Sequence, residues 1–348
     1  MSDEPFLIEH PTGAPSTVTP VAEATETVST PPKKLKTVSF SQYAMWLKCP
    51  QQWKLSYIDK LAPYEASINT VFGHGIHAAL QEYLRVLYGV GATEADALDT
   101  YALFEKTFDA ELANPKTALP MATPEQELLP KEEIEELGVV TAAMVAEFKN
   151  DGKIILDHVT GYAIRSKHFP SKKYEVLGIE LPIEIPIRGG TIVYKGFLDI
   201  VFRDRITKKV LILDFKTSSF GWNKYQKADR TKIDQLLLYK RFYNQLFKVP
   251  MPDIEVEFFV VKRKLFEDTG FPQQRIQRIS PPDGKMSMRE VEMSFLEFIN
   301  SGFNDQGEYN KDAPYPKNPG KAKKNCKYCT FKTLKNAAGE LYCDGKEG

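Results

Sequence analysis

Lys209 to Lys216 reads KVLILDFK, and Val193 to Phe202 upstream of it reads VYKGFLDIVF. Both stretches are short, rich in Val, Ile, Leu and Phe, and bounded by turn or charged residues, which is typical of β-strands. Each apolar run nevertheless contains an aspartate. Burying a carboxylate within a strand is unfavourable unless it serves another group or a cation. The two stretches therefore predict a sheet and a chemical site on that sheet.

The flanking sequence predicts a β-β-β-α-β centre behind a helical front half. Tyr174 to Pro186 is expected to form the strand before Val193, and Ile254 to Lys262 is expected to form the fourth strand. Apolar residues at helical spacing predict further helices. These helices are expected over Ser39 to Leu47, Asn69 to Leu87, parts of residues 93–150, Thr231 to Phe247 and Met288 to Phe303. The fold class that follows is α/β (α+β), with a central mixed sheet flanked by helices.

Composition and length are those of a globular protein. The 348 residues are 42% hydrophobic and 26% charged. Residues 1–36 contain acidic residues, no Lys or Arg before Lys33 and few apolar groups, so they are predicted to be a disordered acidic tail. A main domain is expected over residues 37–310 with a helical insertion at about 90–150, followed by a basic C-terminal segment over 311–348. No stretch approaches the roughly 18 apolar residues of a membrane span, and the N-terminus lacks a secretion signal, so we expect a cytoplasmic protein without a membrane partner.

Asp199, Asp214 and Lys216 form the pattern D-x14-D-x-K across two predicted strands. The two carboxylates could converge at one end of the sheet, and residues 214 and 216 share a face because a strand alternates with period two. Such oxygen ligands suit Mg²⁺ or Mn²⁺, and the Phe215 carbonyl could add another ligand. Lys216 could then orient a water beside the metal. A surface ion pair at the end of a strand would explain Asp214 and Lys216 equally well.

Two helical segments carry further candidates. His77 lies in GHGIH (residues 73–77) on an otherwise apolar helix face, so it is expected to point inward as a metal ligand or as a core histidine. Gln235 and Tyr239 are one helical turn apart and could reach toward the same substrate phosphate or base. An incidental polar pair on an amphipathic helix is the alternative for these two residues.

Together these residues resemble the PD-(D/E)XK nuclease superfamily, specifically its RecB-like branch. The order of that branch is G-x-x-x-H, G-x-x-D, D-x-K and Q-x-x-x-Y, which matches residues 73–77, 196–199, 214–216 and 235–239 here. The resemblance implies a restriction-endonuclease-like core and a metal-dependent DNA nuclease. It implies that His77, Asp199, Asp214 and the Phe215 carbonyl hold Mg²⁺ or Mn²⁺, that Lys216 assists the attacking water, and that Gln235 and Tyr239 contact DNA. Glu180, on the preceding strand, is a companion candidate.

The four cysteines suggest a second metal site. Cys49 lies near the first predicted helix, whereas Cys326, Cys329 and Cys343 lie near the other end of the chain. Four thiolates suit a [4Fe-4S] cluster or Zn²⁺, and a cytosolic chain argues against disulfides. One cysteine before the core and three after it is similar to the iron-sulfur subgroup of RecB-like nucleases, which includes AddB-type proteins and CRISPR-associated exonucleases. The gap from Cys329 to Cys343 is longer than in that subgroup, so a cluster is preferred while zinc and free thiols remain alternatives.

The distribution of charge favours a nucleic-acid partner although the total does not. Lys plus Arg and Asp plus Glu both number 46, but cations concentrate between Lys208 and Arg241 and again between Lys317 and Lys335. Trp222 lies among them, and Trp222, Lys224 and Lys232 are predicted DNA contacts, since cations neutralise phosphates and aromatic rings stack on unpaired bases. A solvated helix face would explain many of the same charges.

These observations lead to one leading function and two alternatives. The leading hypothesis is a Mg²⁺- or Mn²⁺-dependent deoxyribonuclease, by resemblance an exonuclease, acting in DNA recombination, repair or phage DNA metabolism in a bacterial or phage-infected cell. Its partners would be DNA, single-stranded or with free ends, and recombination or replication proteins. A catalytically silent DNA-binding or assembly module and an RNA-processing nuclease are the alternatives. Intact His77, Asp199, Asp214 and Lys216 argue against the silent module.

Overall fold

The structure is a computed structural model that describes residues 35–61, 66–115, 119–266, 270–327 and 329–345. Of the acidic tail predicted over residues 1–36, all but Leu35 and Lys36 lies outside the described residues. Lys36 already belongs to a strand, so regular structure begins before the helix start predicted at Ser39.

Helices dominate the chain before residue 170. The α-helices of the described ranges are α1 (Phe40–Lys48), α2 (Pro50–Trp53), α3 (Ile68–Gly89), α4 (Ala92–Asp96), α5 (Thr100–Leu112), α6 (Lys131–Leu137), α7 (Ala142–Thr160), α8 (Tyr162–His168), α9 (Lys224–Lys227), α10 (Arg230–Phe247) and α11 (Lys285–Gly302). Several begin at a residue whose side-chain oxygen accepts a hydrogen bond from a free backbone N–H of the first turn. Ser39, Ser67, Thr141 and Asp229 cap α1, α3, α7 and α10 in this way.

The sheet is mixed. Its strands are β1 (Lys36–Val38), β2 (Tyr174–Ile187), β3 (Ile192–Asp204), β4 (Val210–Ser218), β5 (Ile254–Lys262) and β6 (Ile276–Ile279). Their order is β1-β3-β4-β5-β6, with β2 also paired to β3. The pairs β1–β3 and β4–β5 are parallel, and the other pairs are antiparallel. This architecture confirms the predicted fold class, a mixed sheet flanked by helices.

Helices cover both faces of the sheet. One core includes Trp46 from α1, Leu236 from α10 and Phe295 from α11, and the other includes Leu80 from α3 and Phe104 from α5. Side chains of β4 alternate between the two cores, as the two-residue period of a strand requires. The sheet is therefore buried on both faces, which explains why its central strands are nearly continuous apolar runs.

β3 and β4 separate from one another at the point where the aspartates lie. Their antiparallel pairing runs from Arg203 opposite Val210 to Ile200 opposite Leu213, and it stops there. The next positions in this register are Asp199 and Asp214. The two strands thus form a fork, and the predicted carboxylates face each other at its opening.

The helical half is longer than expected, and the sheet has two edge strands that the sequence did not indicate. A change from helix to strand was expected after Asp151, yet α7 continues to Thr160 and α8 extends to His168. β1 and β6 have three and four residues, which is too short for a recognisable alternation of apolar and polar residues. Among the described helices, none combines the length and the apolar character that crossing a membrane requires.

Candidate active site

The fork between β3 and β4 holds Asp199 against the backbone of the neighbouring strand. The Phe215 N–H donates to Oδ2 of Asp199 across 2.7 Å. This side-chain acceptor takes the place of the ladder hydrogen bond that is lost where the strands separate. Asp214, one residue before, is 2% exposed. The register of two strands thus brings together the carboxylates predicted from their spacing.

His77 reaches the same point from the other layer. It lies on α3, its Nδ1 is 3.6 Å from Oδ2 of Asp199, and its ring packs edge-on against the Phe215 ring. Burial, helped by the Lys216 charge, lowers the pKa of His77 to about 4. The imidazole is therefore neutral at physiological pH, the form that can coordinate a cation.

Lys216 pairs with Asp214 inside the fork. Its Nζ lies 2.6 Å from Oδ2 of Asp214, although that oxygen has no partner in full hydrogen-bond geometry. Burial raises the pKa of Asp214 to about 6, against the opposing influence of Lys216. Burial also raises the pKa of Asp199. Burial disfavours the Lys216 ammonium, but Asp214 and Asp199 outweigh it and raise its pKa.

The donor chemistry of this cluster fits a hard divalent cation. Two buried carboxylates resist ionisation where they stand, and a bound cation would reverse that effect by stabilising their charged forms. Mn²⁺ accepts this combination of oxygen donors and one neutral imidazole, whereas Mg²⁺ would bind through the oxygen donors. Among the described residues, no group of three or more His, Cys, Asp or Glu side chains already has the arrangement of a metal site.

Glu180 is a third carboxylate at the fork. Its neighbours in β2 pair with Leu198 and Ile200, so it lies across from Asp199, and its charge contributes to the raised pKa of Asp199. Its φ of 51° is unusual for a residue other than glycine. Strained backbone of this kind concentrates at functional sites. The Glu180 side chain is half exposed and lies 3.7 Å from Arg85, so its role beside Asp199 stays a prediction.

Gln235 and Tyr239 approach the site from α10. The Gln235 Nε2 donates to the Tyr239 hydroxyl across 3.1 Å. Burial raises the pKa of Tyr239, and the nearby charge of Asp214 raises it further. Gly196 lies against this ring and against Tyr194, because a Cβ at that position would lie 3.4 Å from Cε1 of Tyr239 and 3.2 Å from Cε1 of Tyr194. The glycine of G-x-x-D therefore shapes the site, a role that its sequence position did not reveal.

The three other predicted DNA contacts have different surroundings. Trp222 is 6% exposed and packs on Phe258, with ring centroids 4.9 Å apart, so its ring has no open face for a base. Lys224 is exposed, with its Nζ 5.0 Å from the centroid of the Tyr225 ring. Lys232 forms an ion pair with Asp229 at 2.8 Å. Two of these three residues thus present cations near the surface, and one belongs to the core.

The four cysteines line one pocket. Cys49 at the end of α1 comes together there with Cys326, Cys329 and Cys343, and all four are unpaired thiols. The Asn318 N–H donates to Sγ of Cys49 across 3.4 Å. Burial raises the pKa of Cys329, with contributions from the charges of Cys343 and Cys49. The four thiols therefore share one pocket, but within the described residues they do not have the arrangement of a metal site, so a shared metal or cluster stays a prediction.

Comparison with protein families adds to this geometry. The family model described as the PD-(D/E)XK nuclease superfamily matches residues 37–334. The chain belongs to the PD-(D/E)XK nuclease superfamily. The matched range contains the fork, His77, α10 and three of the four cysteines. Superfamily membership makes this a nuclease fold whose substrate is nucleic acid, and nucleases of this superfamily usually use Mg²⁺ or Mn²⁺.

Similarity to individual proteins is remote. No curated protein matches the chain. Among solved structures, a candidate exonuclease from Eubacterium rectale is 12% identical, with a TM-score of 0.41 over 75% of this chain and 79% of that one. The structure of SSO0001 is 14% identical, with a TM-score of 0.25 over 85% of this chain and 96% of that one.

Proposed function

We propose that this PD-(D/E)XK protein is a Mg²⁺- or Mn²⁺-dependent deoxyribonuclease of the RecB-like branch, and that it acts as an exonuclease. The observation that carries the proposal is the convergence of His77, Asp199, Asp214 and Lys216 at the fork. These residues come from two consecutive strands and from a helix far earlier in the sequence, and the surroundings of each residue shift its pKa. Perturbed titratable groups that cluster in this way favour a catalytic site over a surface ion pair.

In this proposal His77, Asp199, Asp214 and the Phe215 carbonyl hold the metal ion. When bound, the ion would lower the pKa of a coordinated water and offset charge on the phosphate. Asp199 is oriented for this role by the Phe215 N–H, and His77 by the edge-on packing of its ring against the Phe215 ring. Glu180 would place a second negative charge beside Asp199.

Lys216 supplies a positive charge beside the proposed metal site. Its raised pKa keeps the side chain an ammonium at neutral pH. An ammonium next to the scissile phosphate can orient the attacking water and stabilise negative charge that develops in the transition state. Asp214 positions Lys216 through the 2.6 Å ion pair, so a loss of Asp214 would disturb both the metal site and the cation.

DNA contact is assigned to residues on the same side of the fork. Gln235 and Tyr239 present an amide and a phenol next to Asp214, and Lys224 and Lys232 provide cations for the phosphate backbone. Trp222 would act indirectly, because its packing against Phe258 holds the loop that precedes Lys224.

The four cysteines are proposed to bind a [4Fe-4S] cluster, with Zn²⁺ as the alternative. Support comes from their shared pocket and from the N–H···S contact of Cys49, a type of interaction that tunes and stabilises bound thiolates. Iron, sulfide and zinc analysis of anaerobically purified protein, with the absorption spectrum of the cluster, distinguishes the two. Retention of neither metal would leave the thiols free and contradict both assignments.

The biological setting follows from the same proposal. Residues 37–310 would form the nuclease domain with a helical insertion at about 90–150, and residues 311–348 would form the basic segment that carries three of the cysteines. A role in DNA recombination, repair or phage DNA metabolism, with recombination or replication proteins as partners, fits a cytoplasmic exonuclease in a bacterial or phage-infected cell.

Degradation of end-labelled DNA tests the activity. Single- and double-stranded DNA would be incubated with anaerobically purified protein and Mg²⁺, Mn²⁺ or EDTA. Cleavage is expected with either metal, absent in EDTA, and lost in Asp214→Asn and Lys216→Ala. Lys209→Ala is the matched control, since this lysine also flanks β4 but pairs with Glu255 at the surface.

The products of that assay separate the remaining possibilities. Mononucleotides or short fragments that accumulate from an end support an exonuclease, and internal fragments support an endonuclease. Cleavage of RNA but not DNA would favour the RNA-processing alternative. Wild-type protein that binds DNA with no cleavage under any of these conditions would favour the silent assembly module.

A further inference from the structure

Two exposed phenylalanines form a stacked pair close to the fork. Phe220 is 49% exposed and Phe266 is 59% exposed, yet their rings lie 4.8 Å apart with an angle of 15° between their planes. Phe220 follows β4, which carries Asp214 and Lys216, and Phe266 follows the neighbouring strand β5. The pair belongs to neither of the two cores. Its large apolar surface in water therefore indicates a binding role rather than a packing role.

The backbone beneath the pair is held in place. The Phe266 N–H donates to Oε1 of Gln273 across 3.0 Å, and Nε2 of Gln273 donates to the Phe266 carbonyl across 3.1 Å. The N–H groups of Arg263 and Lys264 donate to the carbonyls of Ser218 and Ser219, both at 2.7 Å. These bonds continue the β4–β5 pairing beyond the strands. The rings are thus presented on preorganised backbone, which reduces the entropy lost on binding.

A polar cleft lies at the end of the catalytic strand, next to the segment that leads to Phe220. Its lining includes Thr217, Ser218 and Ser219 from the end of β4, Thr70 from the first turn of α3, and Arg263, and its volume is about 180 Å³. Phe220 is four residues beyond Lys216, a distance of at most about 14 Å along an extended chain. A nucleic-acid strand leaving the fork would therefore pass hydroxyl groups before it reaches the rings.

We propose that Phe220 and Phe266 form a stacking platform for an unpaired base of the substrate, a few nucleotides from the cleaved phosphate. The platform rests on the proposed nuclease function and deepens it, because it makes single strands or frayed ends the preferred substrate. Aromatic rings stack on any unpaired base but cannot reach a base within a duplex. The exposed cation of Lys224, four residues after Phe220, complements the phosphates of the same strand.

Fluorescence of 2-aminopurine tests the platform without catalysis. Single-stranded oligonucleotides with 2-aminopurine at successive positions from one end would be titrated with full-length protein in EDTA. Stacking is expected to quench the probe at one or two adjacent positions. Phe220→Leu with Phe266→Leu should abolish that quenching and weaken binding by about 5- to 100-fold, the range typical of one stacked base. Phe220→Tyr with Phe266→Tyr keeps the rings and should retain both.

Cleavage assays and a surface control separate the possible failures. With Mg²⁺ or Mn²⁺, the double Leu variant should lose preference for single strands over blunt duplex, whereas Tyr162→Leu should not, since Tyr162 is 76% exposed on α8 away from this segment. Unchanged quenching and preference in the double Leu variant would overturn the platform even if the nuclease is active. Quenching that depends on the rings in a protein without cleavage would uphold the platform and reject the nuclease. Dimers that dissociate in the double Leu variant, without base quenching, would show that a second copy covers the rings and would overturn the proposal.

Discussion

At the scale of single residues, substitution of Gly196 tests whether the position of the Tyr239 ring depends on the space beside this glycine. A Cβ there would lie 3.2 Å from Cε1 of Tyr194 and 3.4 Å from Cε1 of Tyr239. Gly196→Val adds two methyl groups beyond that Cβ, so we expect the Tyr239 ring to move away from Asp214 while the β-branched residue still suits the strand. The ratio kcat/KM for DNA should fall by about tenfold or more, as displaced catalytic geometry typically causes.

A matched glycine controls for that substitution. Gly89 lies at the end of α3, and a Cβ added to it would have no neighbouring atom within 4 Å, so Gly89→Ala should leave kcat/KM unchanged. Far-ultraviolet circular dichroism of both variants would check the fold. A folded Gly196→Val variant with wild-type activity would show that Tyr239 does not depend on this space.

His168 gives the protein a pH-dependent stability outside the site. Its ring packs edge-on against Phe259, and Nδ1 is buried without a hydrogen-bond partner. Burial, helped by the charges of Arg278 and Lys167, lowers the pKa of His168 to about 4, from 6.5 in the unfolded chain. The unfolded chain therefore binds the proton first, so this contribution to stability is complete above pH 6.5 and is lost as the pH falls toward 4.

Replacement of His168 by phenylalanine should remove that dependence. His168→Phe keeps an aromatic ring against Phe259 but cannot titrate. Urea unfolding from pH 7.5 to 4.5 should show the wild type losing about 1 kcal/mol more than the variant, a value reduced for the partial solvent exposure of the ring. Parallel stability curves for the two proteins across this range would contradict the assigned pKa.

At the scale of elements, Asp151 joins the helical half to the end of the catalytic strands. It lies on α7 with 4% exposure and accepts from Nη1 of Arg263 at 2.7 Å and from Nζ of Lys264 at 3.0 Å. Arg263 and Lys264 belong to the backbone pairing that continues β5 beside Ser218 and Ser219. The ion pairs thus fix the edge of the cleft next to Lys216 from a helix that lies far away in sequence.

Asp151→Ala should therefore destabilise the protein strongly. Removing this buried carboxylate leaves Arg263 and Lys264 with only the half-exposed Glu147 as a partner, and the loss of hydrogen bonds to charged groups typically costs about 1.5 to 3 kcal/mol. Glu147 lies one turn earlier on α7, contacts the same two cations and is 49% exposed, so Glu147→Ala should cost less than about 1 kcal/mol. Urea unfolding of both variants measures the difference. Equal losses would mean that burial of Asp151 is not what makes its ion pairs important.

The main elements could be predicted from the sequence because their apolar patterns are long. β5 has the predicted bounds of Ile254 and Lys262, and α10 differs from its prediction by one residue. The meeting of Asp199 and Asp214 follows from the same logic, since an antiparallel hairpin places residues at fixed register. The burial of Trp222 was harder to predict, because the basic and aromatic sequence around it does not reveal that its ring faces Phe258 rather than solvent.

Contacts between distant segments were the part that local patterns could not indicate. The strand β1 is three residues long and pairs with Ile192 to Tyr194, far along the chain. The stacking of Phe220 on Phe266 likewise depends on two loops that α9, α10 and β5 separate in the sequence. The order of the motifs in the sequence identified the residues that meet at the fork. The residues that pack around them could be recognised only in the folded structure.

At the scale of the whole molecule, the cysteine pocket connects the two ends of the described chain. Cys49 follows α1, which packs on α10 and α11, and the other three cysteines come from the segment after α11. Direct hydrogen bonds already bridge these ends, since Nδ2 of Asn325 donates to the Lys48 carbonyl and the Gln51 N–H donates to the Pro316 carbonyl. A metal shared by the four thiolates would close a loop around the entire nuclease core, and closing a long loop restricts the unfolded chain most.

Shared ligation makes a prediction about additivity. If the four cysteines hold one metal, Cys49→Ser alone should release it and lower Tm by about 5 to 10 °C, equivalent to a few kcal/mol for a domain of this size. Cys49→Ser combined with Cys343→Ser should then be no less stable than either single variant, because the metal can be lost only once. Calorimetry with metal analysis of the three variants measures both quantities. Small, additive shifts with no change in metal content would instead indicate four independent thiols, and direct contacts such as the hydrogen bonds of Asn325 and Gln51 would then join the two ends without a metal.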